Sequence, residues 1–152
     1  MLKPFLIIPA LLLLAPAFCQ QQTEPAQNPP PPAAGQTLSA IPAEYLNMAN
    51  PVKPTEQSQA RAKQIYGWDC AMCHGDNGDG KGDVAGEQKL AMHDFRESLK
   101  TLSDGQMFYI IHNGEGAQMP AEGPRAKTDE VWNLVIYLRK MSNTPAPAPA
   151  AQ

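Results

Sequence analysis

The chain lacks a second cysteine pair, an apolar run of bilayer length, a dense block of basic residues and any sustained alternation of apolar and polar positions. Each absence removes a class of protein. The cysteines are Cys19, Cys70 and Cys73, and without a second pair of Cys or His ligands at suitable spacing a zinc module is incomplete. The longest apolar run, Phe5 to Leu14, is short of the roughly 20 residues that span a bilayer, and Pro4, Pro9 and Pro16 punctuate it. A formal net charge of −3 without a lysine-rich ring leaves no footprint for nucleic acid and no strong attraction to an acidic partner. Strand periodicity is almost absent, so an all-α domain is expected. No internal repeat is visible.

What is present divides the chain. Residues 1–19 carry Lys3, the apolar run, then small residues around Ala15 and Ala17, the layout of a secretory signal peptide. Export into a bacterial periplasm follows from cleavage, and an uncleaved anchor is the alternative. Cys19 at the end of the signal is where a lipoprotein would be modified, but the bulky Phe18 before it argues against lipidation. Residues 20–54 are rich in Gln, Pro and Ala, with four consecutive prolines at 29–32, and are read as a flexible linker. Ile41, Tyr45, Leu46 and Met48 within it are read as incidental apolar residues, with a short helix docked on the domain as the alternative. Residues 143–152 are a Pro-Ala tail.

The remaining domain, 55–142, is small for a self-sufficient hydrophobic core and is expected to lean on a cofactor, metal or disulfide. Three helices are expected. The first spans about Thr55 to Asp69, with Ala62, Ile65 and Tyr66 on one face. The second starts at Ser103, which has capping-box spacing to Gln106, and stops at Asn113-Gly114. The third follows Thr128 as N-cap, with Asp129 and Glu130 in its first turn and Arg139 and Lys140 in its last, as the helix dipole favours.

The chemistry lies at Cys70-Ala71-Met72-Cys73-His74. C-x-x-C-H is the pattern for covalent attachment of a c-type haem, two thiols for the vinyl groups and a histidine for the iron. A thioredoxin-like redox pair would need a β-α-β setting. A structural disulfide fits an exported protein. For a second axial ligand the reading is Met119, which precedes Pro120 in the glycine-punctuated stretch 113–120 and can reach the opposite haem face from a loop. Met72, Met92, Met107 and Met141 are read as packing. His112, at a helix end, is explained by the helix dipole, and His93 by a polar loop. Residues 76–83 alternate acids and glycines, but no register satisfies the calcium-loop pattern, so a surface turn is expected.

Residues 62–141 resemble a class I c-type cytochrome of the bacterial mono-haem kind. The resemblance is carried by Tyr66, the C-x-x-C-H-Gly75 run, the stretch from Leu102 to Gly114, Met119-Pro120, and the final helix with Trp132 and Tyr137. It implies a small cytochrome c fold, three or more helices around one covalently held haem c, with crossed N- and C-terminal helices, Ala62 in a position that favours small residues, and Tyr66 and Tyr137 packed at the crossing. It also implies His74 and Met119 as the axial iron ligands. Relatives often have a proline whose carbonyl accepts the second N–H of the haem histidine. Here no proline lies between His74 and Met119, so another carbonyl within 78–86 is expected to serve.

The expected function is therefore one-electron transfer without catalysis. The leading form is an exported shuttle making transient contact with redox partners: a membrane cytochrome complex, an oxidase or a periplasmic dehydrogenase. Alternatives are a haem subunit of such a complex, or a gas-binding sensor if Met119 does not ligate. Membrane tethering through residues 1–19 or a lipidated Cys19 is not favoured.

Overall fold

The computed structural model describes residues 41–145. The expected signal segment with Cys19, the linker up to residue 40 and the tail from residue 146 lie outside the described residues. The described chain is all-α: α1 (Ala43–Leu46), α2 (Glu56–Ile65), α3 (Ala71–His74), α4 (Asp83–Gln88), α5 (Phe95–Ser98), α6 (Asp104–Asn113) and α7 (Thr128–Ser142). Among the described residues no helix is long and apolar enough to cross a membrane.

Helix α2 is launched by a reciprocal cap, in which the Thr55 hydroxyl accepts from Ser58 N–H and the Ser58 hydroxyl accepts from Thr55 N–H. The expected helix to Asp69 does not continue as α-helix. After Ile65 the backbone widens into a π turn over Tyr66–Cys70, closed by Ala71 N–H donating to the Tyr66 carbonyl, before α3 resumes. Such a widening rotates the residues that follow it relative to the preceding face. It leaves Trp68 largely exposed, with the Arg61 guanidinium 5.5 Å from its ring centroid.

The Ser103 and Gln106 box at the start of α6 forms as expected. For α7 the expected N-cap moves by one residue. Thr128 is the first helical residue, and the cap is Lys127, whose N–H donates to the Glu130 carboxylate at 2.9 Å. The acid three residues on serves the cap from the far side, so a capping hydroxyl is not required.

The core lies between α2 and α7, the helix pair with the most extensive contact. Ala62, Ile65 and Tyr66 meet a stripe of α7 in which Val131, Leu134 and Val135 are fully buried. Tyr66 and Tyr137 pair as expected, with ring centroids 5.6 Å apart. A polar seam runs beside them: Ser58 Oγ donates to Asn133 Oδ1 at 2.7 Å, and Gln59 Nε2 to the same oxygen at 3.0 Å. At the other end of α7, Arg139 does more than favour the helix dipole. Its guanidinium donates to Asp104 Oδ1 (2.9 Å) and to the carbonyls of Leu99 and Leu102 (2.7 and 2.5 Å), fixing the turn that leads into α6.

Residues 41–54, within the expected flexible linker, lie against this domain. Tyr45 packs on Tyr109 at 5.0 Å between centroids, Gly105 N–H donates to the Met48 carbonyl at 3.0 Å, and Asn50 Nδ2 donates to the Trp132 carbonyl at 3.0 Å. Backbone groups and one amide tie the segment down, so its few apolar residues suffice.

Candidate functional site

A cavity of about 720 Å³ opens between the end of α3, the 90–102 segment, α6 and the loop after it. Its size is that of pockets that enclose a whole organic ligand. Its lining is mainly apolar, with Leu99, Met107, Ile111 and Leu138 among the walls. Cys70, Cys73, His74 and Met119, separated by up to 49 residues in sequence, all line it.

The first wall is built from the π turn and α3. Its backbone is held by the following loop, which folds back on it: Gly80 N–H donates to the His74 carbonyl at 2.9 Å, and Gly82 N–H to the Cys73 carbonyl at 3.2 Å. The Tyr66 hydroxyl donates to the Gly75 carbonyl at 2.5 Å. Thus the surface turn expected at 76–83 also anchors the site. His74 is deeply set. Its Nδ1 is buried without a hydrogen-bond partner, and the residue lines the cavity. Burial holds its imidazolium below the usual range, and the neutral form is the one that binds metals.

Cys70 is pushed up to about 12, first by burial and then by the carboxylates of Glu122 and Asp69. Reactive C-x-x-C pairs have the opposite tuning, a lowered thiol in a positive environment. The thioredoxin-like alternative therefore loses its electrostatic basis as well as its β-α-β setting. Both thiols are free.

The second wall is the loop after α6. Gly114 caps α6 with φ of +76°, a conformation that a side chain disfavours. Glu115 and Met119 then exchange hydrogen bonds, 2.9 and 3.2 Å, which close a small loop. Glu122 N–H donates to the Ile111 carbonyl and Gly123 N–H to the His112 carbonyl, both at 2.9 Å, drawing the chain back along α6. Met119 is thereby held from both sides, with Pro120 next to it on the lining.

The other candidates separate. His112 is not on the cavity lining. It stacks on Phe108 at 5.4 Å between centroids and covers Gly123. His93 does line the cavity although it is exposed, and Met92 and Met107 line it too. Met72, expected to pack, is instead half exposed at the surface, because α3 turns the residue between the cysteines outward.

Two residues had no signal in the sequence pattern. Phe95 stands beside His74, with ring centroids 4.6 Å apart. Glu122 is a nearly buried carboxylate whose side chain is 7% exposed and which is paired with Arg125 at 2.5 Å. Arg125 also reaches Asp69 at 3.5 Å. Burial pushes Glu122 above the usual carboxylate range despite that pairing.

The chain is similar to known proteins over part of its length. The chain is 28% identical over 109 residues to the cbb3-type cytochrome c oxidase subunit FixP of Azorhizobium caulinodans, covering 65% of this chain and 33% of that subunit. It is similar to a chain of a solved Kuenenia stuttgartiensis reducing HAO-like protein complex, at 27% identity and a TM-score of 0.52, covering 60% of this chain and 46% of that one. The chain thus spans about a third of the curated relative and under half of the solved one. Residues 57–138, more than half of the chain and the whole of both cavity walls, match one family model, and the chain belongs to that family, described as cytochrome c oxidase, cbb3-type, subunit III.

Proposed function

We propose that this chain is a haem-bearing electron-transfer domain that works as a component of an exported, oxidase-type redox complex. One observation carries the reading: two thiols, an imidazole and a thioether converge on a single mainly apolar cavity large enough for a porphyrin. Cys70 and Cys73 would hold one haem c by thioether bonds, and His74 and Met119 would ligate its iron. When bound, the group supplies a one-electron couple at its iron.

The residues of this chain do the rest. His74 enters the site neutral, as a ligand must. The thioether of Met119 would be a soft donor that favours reduced iron, and the closed 115–119 loop holds the residue in place. Buried Leu99, Met107, Ile111 and Leu138 line the cavity and would keep water from the iron, which would raise the potential further. The closely packed α2 and α7 frame would leave little to rearrange on electron transfer.

Membership in an oxidase-subunit family, and likeness to a chain that is part of a complex, support a complex component more than the free periplasmic shuttle that sequence alone put first. Export to the bacterial periplasm fits both. Non-denaturing electrophoresis of detergent-solubilised membranes, stained for covalent haem, separates them. The expected result is haem stain from this chain migrating with an oxidoreductase assembly far above its own 16.5 kDa. Stain found only at the size of the free chain in the soluble fraction would favour the shuttle.

A further inference from the structure

Resting on the haem reading of Cys70, Cys73 and His74, we propose that Phe95 is the positioning residue for His74, holding the imidazole plane by ring packing where a carbonyl acceptor was expected. Four observations meet at this point. His74 Nδ1 is buried and has no hydrogen-bond partner. The Phe95 ring lies beside the imidazole at 4.6 Å between centroids and a 33° interplanar angle, within the range of favourable ring pairs. The Gly78 carbonyl, in the segment expected to serve Nδ1, accepts from Phe95 N–H at 2.8 Å. The close approach of that loop is made possible by Gly78 itself, whose φ is +68° and where an added Cβ would lie 2.6 Å from Phe95 Cδ2.

The loop after the haem motif thus delivers an aromatic ring to the histidine. Asp94 starts the turn by accepting from Arg96 N–H at 2.8 Å, so Phe95 is the first residue of α5 and its backbone is fixed at both ends. Two consequences follow for the ligand. The ring plane is set by packing against the tilted Phe95 ring, and the imidazole keeps the lower basicity of a ring without an acceptor at its second nitrogen. A less basic ligand stabilises oxidised iron less, and the potential is correspondingly higher.

The test uses the full chain matured with haem, after the optical spectrum of the wild type has shown a low-spin c-type haem. Absence of that spectrum would fail the haem reading and leave Phe95 out of the question. In the oxidised protein, the order and spread of the haem methyl proton shifts report the plane of the axial imidazole. Phe95→Leu, which keeps apolar bulk without a ring, is expected to reorder those shifts, and Phe95→Ala to lower the midpoint potential as water reaches Nδ1. Phe95→Tyr is expected to retain both wild-type signatures. Wild-type shift order and potential in both Phe95→Leu and Phe95→Ala would overturn the proposal. Should those variants fail to fold, the reduced wild type decides. Ring-to-ring cross-relaxation between Phe95 and His74 supports the proposal, and a hydrogen-bond coupling from Nδ1–H to a backbone carbonyl refutes it.

Discussion

The two walls of the cavity are built by opposite means. On one side Cys70, Cys73 and His74 lie within five residues of sequence, at the end of the π turn and on α3 after it, and the chain immediately folds back upon them through Gly80 and Gly82 N–H groups. On the other side Met119 stands alone in a loop closed by two hydrogen bonds and tied to the end of α6. The first wall owes its geometry to local backbone and a π turn, the second to where α6 stops. A covalent anchor needs several groups in fixed relation, whereas an axial ligand needs only one side chain delivered from a distance. The first wall should therefore govern whether the cofactor is held, and the second how it behaves.

The largest expected effect comes from removing the anchor. Cys70→Ala with Cys73→Ala should abolish covalent haem, and the emptied apolar cavity should leave a chain that does not unfold cooperatively. Haem stain on a denaturing gel and thermal circular dichroism check both. Next, Gly114→Ala should spare attachment and disturb the other wall. A Cβ there would lie 2.5 Å from the Met119 carbonyl oxygen and 2.8 Å from Ala121 N. Retained haem stain with a lost far-red iron–sulfur band and new carbon monoxide binding by the reduced protein is the outcome that separates the walls. Unchanged ligand binding would merge them.

A smaller effect should follow from cutting the tie between them. Arg125 pairs with Asp69, beside Cys70, and with Glu122, three residues beyond Met119. Arg125→Ala leaves Glu122 buried and unpaired and should cost about 1–3 kcal/mol in denaturant unfolding. Its pH dependence has a definite sign. A folded carboxyl held above its unfolded value binds extra protons in the folded state, so stability falls as pH rises from the unfolded to the folded value. Removing Arg125 should steepen that fall, and Glu122→Gln should abolish it.

The smallest effect belongs to the surface pair of Arg61 and Glu130, 2.8 Å apart with side chains 42% and 24% exposed. Arg61→Ala should cost roughly 0.2–1 kcal/mol. The Arg61 hydrogen bond holds Glu130 below the usual carboxylate range. Its stabilisation is thus full above the unfolded value and is lost as pH falls through the folded one. Urea unfolding at neutral and acid pH checks this, and the wild-type advantage should shrink in acid.

The same contrast explains what the sequence made legible. Cys70 to His74 announces itself because all its parts are adjacent, and the Ser103 and Gln106 cap because its partners are three residues apart. The buried stripe of α7 follows from helical spacing alone. The docked segment 41–54 shows only the scattered Ile41, Tyr45, Leu46 and Met48, since much of what holds it is a Gly105 N–H and a Trp132 carbonyl more than fifty residues away. Short helices α4 and α5 carry too few residues to display a period. Phe95 and Glu122 acquire their meaning from tertiary neighbours, and the missing proline pointed to a gap at His74 without naming what fills it. Met119 lies between these cases, marked by the following proline and by glycines but confined by hydrogen bonds invisible in composition.

The central claim is that one haem is covalently anchored at Cys70 and Cys73 and ligated by His74 and Met119. Optical spectra of the full chain, matured with haem-attachment machinery and recorded oxidised and reduced for wild type and Met119→Ala, test it most directly. The account predicts a c-type spectrum in both, haem that stays on the denatured chain, and a far-red iron–sulfur band present in the oxidised wild type and absent from the variant. A wild type without covalent haem, or a band that survives Met119→Ala, would contradict it.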